Sequence, residues 1–174
     1  MDIVFGYLLS LAAGALAKTA DKLSDKKNAG NAALAVGAAY GAAAGLVSVL
    51  FPLLAPLFMG LAIGNMFAGK FDTKTHQTGL AVFVSILLLF GFAGGDKALF
   101  VLVAAAAYAD EVFAESAKDA NRRKARGLLG ETAVLRPLVP IACLVYALAT
   151  GSWEPLAAMV AFDAAYVAAG MKAI

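Results

Sequence analysis

Long apolar blocks separated by short charged islands set the pattern of this chain. The first block predicts a helix from Ile3 to about Thr19, and the island KTADKLSDKKN closes it. Residues 31–69 carry no charge and are too long for one membrane crossing, which takes roughly 20 residues. Pro52 and Pro56 divide them, because proline ends or kinks a helix. The economical reading is a hairpin, with one helix to about Leu50 and the next from about Pro52 to Ala68. The island GKFDTKTHQTG then reads as a short loop with some helical turn, followed by a fourth helix from about Gly79 to Phe92. After the turn Gly94-Gly95-Asp96-Lys97 a fifth helix runs from Ala98 towards Arg126, where Gly127 and Gly130 end it. A sixth covers roughly Leu138 to Ala149. The seventh runs from Pro155 to about Met171, with proline in its first turn.

Composition turns these seven helices into a membrane expectation. The chain is 62% hydrophobic and 15% charged, and its mean hydropathy is +0.82. An average soluble domain has about 25% charged residues. Its 174 residues are one domain's worth of material, so residues 1–174 are read as a single transmembrane domain. Asp2 and the lack of Lys or Arg before the first apolar block argue against a secretion signal, so that block is read as the first span. Seven crossings put the islands 18–31, 69–78 and 118–136 and the C-terminus on one side. Of the 14 Lys and Arg residues, all but Lys97 fall on that side. By the positive-inside rule that side is cytoplasmic and the N-terminus lies outside. The expected fold is therefore all-α: a polytopic integral membrane helical bundle of seven transmembrane helices, multi-pass in the cell membrane, with a cytoplasmic C-terminus.

The candidate chemistry gathers on the fifth helix, in the stretch Ala107 to Arg126. Glu111, Glu115 and Asp119 recur at four-residue spacing and form one stripe, and Asp110 lies just above them. Carboxylates beginning inside an apolar span must be paired, hydrated or neutralised, which marks a site. Asp163 on the seventh helix and Asn65 on the third fall at nearby depth. Magnesium takes carboxylate and water oxygens and meets substrate phosphates through them. On that chemistry Asp21, Asp25, Glu115 and Asp110 are the metal candidates, and Mg²⁺ is the expected cofactor. Asp110, Glu111 and Asp163 are the catalytic candidates, while Asn65, Lys22, Lys70, Arg122 and Arg126 would hold substrate.

The function expected from this constellation is a membrane-embedded, Mg-dependent transferase or phosphotransfer enzyme of lipid metabolism. It would act on a lipid or isoprenoid phosphate at the cytoplasmic face. The alternative is a transporter or channel for a small cation or solute, with Asp110 and Asp163 within the membrane. A third reading is a non-catalytic membrane partner protein. The expected partners are the lipid bilayer and a phosphate-bearing lipid or small solute, with room for a homo-oligomer. Residues 110–126 also fit a salt-bridged helix extension, pairing Glu115 with Lys118 and Asp119 with Arg122 or Arg123. His76 sits among Thr75, Gln77 and Thr78 and reads as part of an ordinary polar loop, with a catalytic base as the lesser reading.

Several classes are excluded. There is no nucleotide-binding P-loop, HExxH, GxSxG, CxxC or dinucleotide-binding glycine pattern. Cys143 is the only cysteine, which excludes an intrachain disulfide and a cysteine metal cluster. The basic residues lie in islands without aromatic interleaving, so no nucleic-acid partner is expected.

Overall fold

The computed structural model describes residues 2–25, 30–92, 94–122 and 137–171, with side chains as far as Ser116 in the third of these segments. Seven helices lie among them: α1 (Ile3–Ser24), α2 (Gly30–Leu50), α3 (Ala55–Phe67), α4 (Lys74–Phe90), α5 (Lys97–Arg122), α6 (Leu138–Thr150) and α7 (Glu154–Met171). Among the described residues the all-α class and the seven helices of the sequence reading stand. The boundaries move where side chains cap or continue a helix. The Asp2 carboxylate accepts the Val4 N–H and starts α1. Thr73 accepts the His76 N–H and starts α4 five residues before the apolar block. Asp96 accepts the N–H groups of Ala98 and Leu99 at the start of α5. Each carboxylate or hydroxyl satisfies donors that a first helical turn leaves without partners.

Tertiary contacts order six of the helices into a ring, α1–α2–α3–α5–α6–α7, that closes from α7 back onto α1. α4 packs outside it, mainly on α2 and slightly on α1. Three pairs lie in parallel and at short range because glycines on one helix meet backbone or side chain of the other. A Cβ on Gly37 or Gly41 of α2 would fall 2.3 Å from the Thr75 carbonyl oxygen or 2.0 Å from that of Gly79 on α4. Gly14 of α1 sits on the Phe162 carbonyl of α7, and Gly64 of α3 on the Ala104 carbonyl of α5. The core between the helices holds Val47, Leu54, Leu57, Leu99, Val103 and Cys143, all fully buried. Burying side chains of this size contributes about 1.5–3 kcal/mol each.

At one end of the ring the turns gather. Gly6 of α1 packs under Phe51 and Leu54, and Gly95 packs against Pro52 and Pro56. There the Tyr146 hydroxyl of α6 donates to Asp96 at 2.9 Å, tying α6 to the cap of α5. That hydrogen bond first, and the Ala98 N–H second, hold the Asp96 carboxyl below the usual carboxylate range. Tyr146→Phe should therefore move the Asp96 pKa up towards the ordinary value, read from the carboxyl ¹³C shift in an NMR titration. The sign for stability follows. The contribution is present above the unfolded-state pKa and is lost as pH falls through the depressed folded value.

The transmembrane part of the expectation does not stand. Of the described helices only Ile3–Ser24 and Gly30–Leu50 are both long and apolar enough to cross a membrane. α3 and α6 have 13 residues each, about 20 Å at 1.5 Å per residue, against a hydrocarbon core of about 30 Å. α4 has 17 residues, four of which (Lys74 to Gln77) belong to the polar island. The seven-span topology, with its outside N-terminus and cytoplasmic C-terminus, is thereby overturned, and the multi-pass cell-membrane localisation with it. Apolar blocks had been equated with spans, but the part of the divided block that follows Pro52 yields only the 13-residue α3, too short to be a span. Two helices long and apolar enough to cross are all that length and composition of the described helices say about a membrane.

Candidate functional site

At the other end of the ring lies a polar cluster built by four helices. Lys18, Asp21 and Lys22 occupy one face of α1 in its last two turns, since residues three and four apart are neighbours on a helix. Gly14, one turn earlier, lets α1 lie on the α7 backbone at Phe162. The two parallel helices then stay in register. Lys18 meets Tyr166, with its ammonium 4.7 Å from the ring centroid. One turn further, Lys22 donates to the Ala169 and Gly170 carbonyls at 2.5 and 2.9 Å. A cation on these terminal carbonyls is favoured by the negative end of the helix dipole.

Tyr40 of α2 and His76 of α4 reach the cluster through the second glycine contact. The Tyr40 ring lies where a side chain at position 79 would stand, 2.3 Å from a Cβ built on Gly79. Its hydroxyl thereby comes within 3.5 Å of His76 Nδ1 and donates to the His76 carbonyl at 3.3 Å. The other ring nitrogen, Nε2, stands 3.1 Å from Asp21 Oδ1. Asp21 Oδ2 accepts the Tyr166 hydroxyl at 2.5 Å and lies 3.8 Å from the Lys18 ammonium. Burial pushes the Asp21 carboxyl up, but the hydrogen bonds from His76 and Tyr166 and the charges of His76 and Lys18 outweigh it. The net result lies below the ordinary carboxylate value.

The residues singled out in the sequence are distributed over other contacts. Asp110, buried, accepts the Leu138 and Val139 N–H groups at 3.0 and 3.1 Å and so caps α6 from α5. Glu111 is buried and pairs with Lys70 at 3.1 Å, and Glu115, exposed, lies 3.9 Å from the same ammonium. The structure thus brings Lys70 to Glu111 and Glu115. The Asn65 amide donates to the Leu61 carbonyl of its own helix. Asp25 is the exposed C-cap residue of α1. Asp163 adds its charge to burial in pushing the Cys143 thiol up to about 12. The side chain of Arg122 and all of Arg126 lie outside the described residues, as do the pairings expected for Lys118 and Asp119.

Among the described residues no group of three or more His, Cys, Asp or Glu side chains gathers to hold a metal ion. Asp21 engages His76 and Tyr166, Asp110 engages the start of α6, and Glu115 faces Lys70. The Mg-dependent lipid-phosphate transferase loses its carboxylate set on this finding. The intramembrane transporter and membrane-partner readings lose the seven-span frame they required. In the sequence Tyr40 and Tyr166 carry no site signal, and His76 reads as a loop residue. The usable signal was Thr73 three residues before His76, a helix-start pattern that places the imidazole in a first turn rather than a loop.

Compared with known proteins, the chain matches no protein-family model, no curated protein and no solved structure. The functional reading rests on the residues and their geometry.

Proposed function

We propose that this is a proton-responsive helical protein whose working element is the chain Asp21–His76–Tyr40. The observation that carries the reading is that both nitrogens of its one histidine are engaged by groups from two other helices, Asp21 of α1 at 3.1 Å and Tyr40 of α2 at 3.5 Å. Histidine is the side chain whose ordinary pKa, about 6.5, places its charge change between pH 5 and 8.

Two hydrogen-bond arrangements follow from the donor inventory. With the imidazole neutral, Nε2–H donates to Asp21 and Nδ1 accepts from the Tyr40 hydroxyl. With the imidazole protonated, Nδ1–H donates to the Tyr40 oxygen, and the hydroxyl hydrogen turns to the His76 carbonyl 3.3 Å away. Uptake of one proton at Nδ1 thus swings the Tyr40 hydroxyl and adds a charged contact between α1 and α4. Lys18 and Tyr166 complete the surroundings of the carboxylate and limit what Asp21 can do besides orient His76.

The test is the tautomer and hydrogen bonding of His76, read by long-range ¹H–¹⁵N correlation in the intact chain, with Asp21→Asn and Tyr40→Phe beside it. The neutral ring should carry its proton on Nε2, and both variants should change the ring-nitrogen shifts by removing a hydrogen-bond partner. A neutral ring protonated on Nδ1, or ring-nitrogen shifts that neither variant changes, would overturn the reading.

A further inference from the structure

We propose that lipid hydrocarbon, rather than a protein partner, covers the outer faces of the helices. All seven described helices carry large apolar side chains exposed at the surface, among them Phe67 (72%) of α3, Leu88 (81%) of α4, Phe113 (62%) of α5 and Leu148 (69%) of α6. A monomeric protein in water rarely exposes contiguous apolar area beyond a few hundred Å². A docked protein covers one side of its partner and brings a polar rim with it. Here the exposure is distributed over the whole ring of helices and over α4 outside it. An occupant that meets every helix must surround the molecule, which a fluid of acyl chains does.

Charge placement supports the same occupant. No Asp, Glu, Lys or Arg occurs between Asn28 and Lys70, between Lys74 and Asp96, or between Arg136 and Glu154. Apart from Asp163, partly buried near the middle of α7, the charged side chains named here stand towards the ends instead. Lys18, Asp21, Lys22 and Lys70 lie with the polar cluster and its neighbouring acids, and Asp96 and Glu154 lie in the turns at the other end. Trp153, half-exposed, sits in one of those turns, where an aromatic residue suits the boundary between hydrocarbon and water. The inference requires acyl-chain contact with these faces and does not require seven crossings. It is independent of the His76 reading, since none of the exposed apolar residues it uses belongs to that cluster.

The full chain in dioleoylphosphatidylcholine vesicles tests it. Trp153 is the only tryptophan, so Trp153→Phe gives a background in which Leu88→Trp and Leu148→Trp report separately from α4 and α6. After detergent removal the protein should float with the vesicles. Bromine carried mid-chain on the lipid should cut the emission of both reporters by about two-fold or more, as expected for side chains in hydrocarbon. The Trp153-only parent keeps the flotation result readable if either reporter variant misfolds. Protein that stays in the aqueous fraction with unquenched reporters overturns the proposal. So does a lipid-free, concentration-dependent dimer that shields them, because a second copy is then the occupant.

Discussion

Gly41→Val should destabilise the protein by about 3 kcal/mol or more, or prevent folding, because overpacking a filled contact costs 1–3 kcal/mol even where neighbours can yield. They cannot yield here. A Cβ at position 41 would lie 2.0 Å from the Gly79 carbonyl oxygen and 2.9 Å from its Cα, all backbone of the facing helix. α2 and α4 would have to separate, and the separation would withdraw His76 from Tyr40 and Asp21. Equilibrium unfolding should therefore show a lowered midpoint, and the His76 resonance should lose its dependence on Tyr40. Gly170→Ala is the matched control. Its added methyl would meet only the Lys18 Cε at 3.6 Å, an ordinary contact. Relative to glycine, alanine in a helix gains roughly 0.5–1 kcal/mol, so this variant should be neutral or slightly more stable. Equal losses in the two variants would sink the packing argument.

Asp110→Ala should cost about 2–3 kcal/mol, combining a lost helix cap with two backbone donors left unpaired, that of Val139 buried and that of Leu138 part-buried. The carboxylate reaches from α5 to the first N–H groups of α6, where the Pro137 N-cap position offers no side-chain cap of its own. Asparagine keeps one acceptor oxygen, so Asp110→Asn should retain about half of the stabilisation. Amide exchange at Leu138 and Val139 distinguishes this role from a catalytic one. Exchange should accelerate in the alanine variant, and far more there than at Ala107 or Val103 of α5. An unchanged exchange rate at both amides would remove the cap from the account.

Much of the architecture was legible in the sequence. Pro52 and Pro56 divided one apolar block into two helices, as found in α2 and α3, because a ring nitrogen cannot continue the hydrogen-bond ladder. Glycines 37, 41 and 45 recur at four-residue spacing and mark a smooth helix face in the sequence itself, and α4 lies on it. The importance of Asp110 was also visible, since a carboxylate in an apolar block needs partners. Its role was not, because the partners are N–H groups 28 and 29 residues further along the chain.

The polar cluster was the least legible part. Asp21 and His76 lie on different islands, and nothing in the periodicity of either shows that they meet. Tyr40 sits in a run of alanine and glycine where an aromatic reads as packing, and only Gly79 on another helix gives its ring a place. Apolar spacing, proline and glycine positions and the capping residues act within a turn or two of the chain, so the sequence alone determined the seven helices found among the described residues. Which helix faces which depends on the summed fit of whole surfaces, here glycine gaps against opposing carbonyls. That fit exists only once the helices are packed, so tertiary structure alone decided that Asp21, His76, Tyr40 and Tyr166 would share one site.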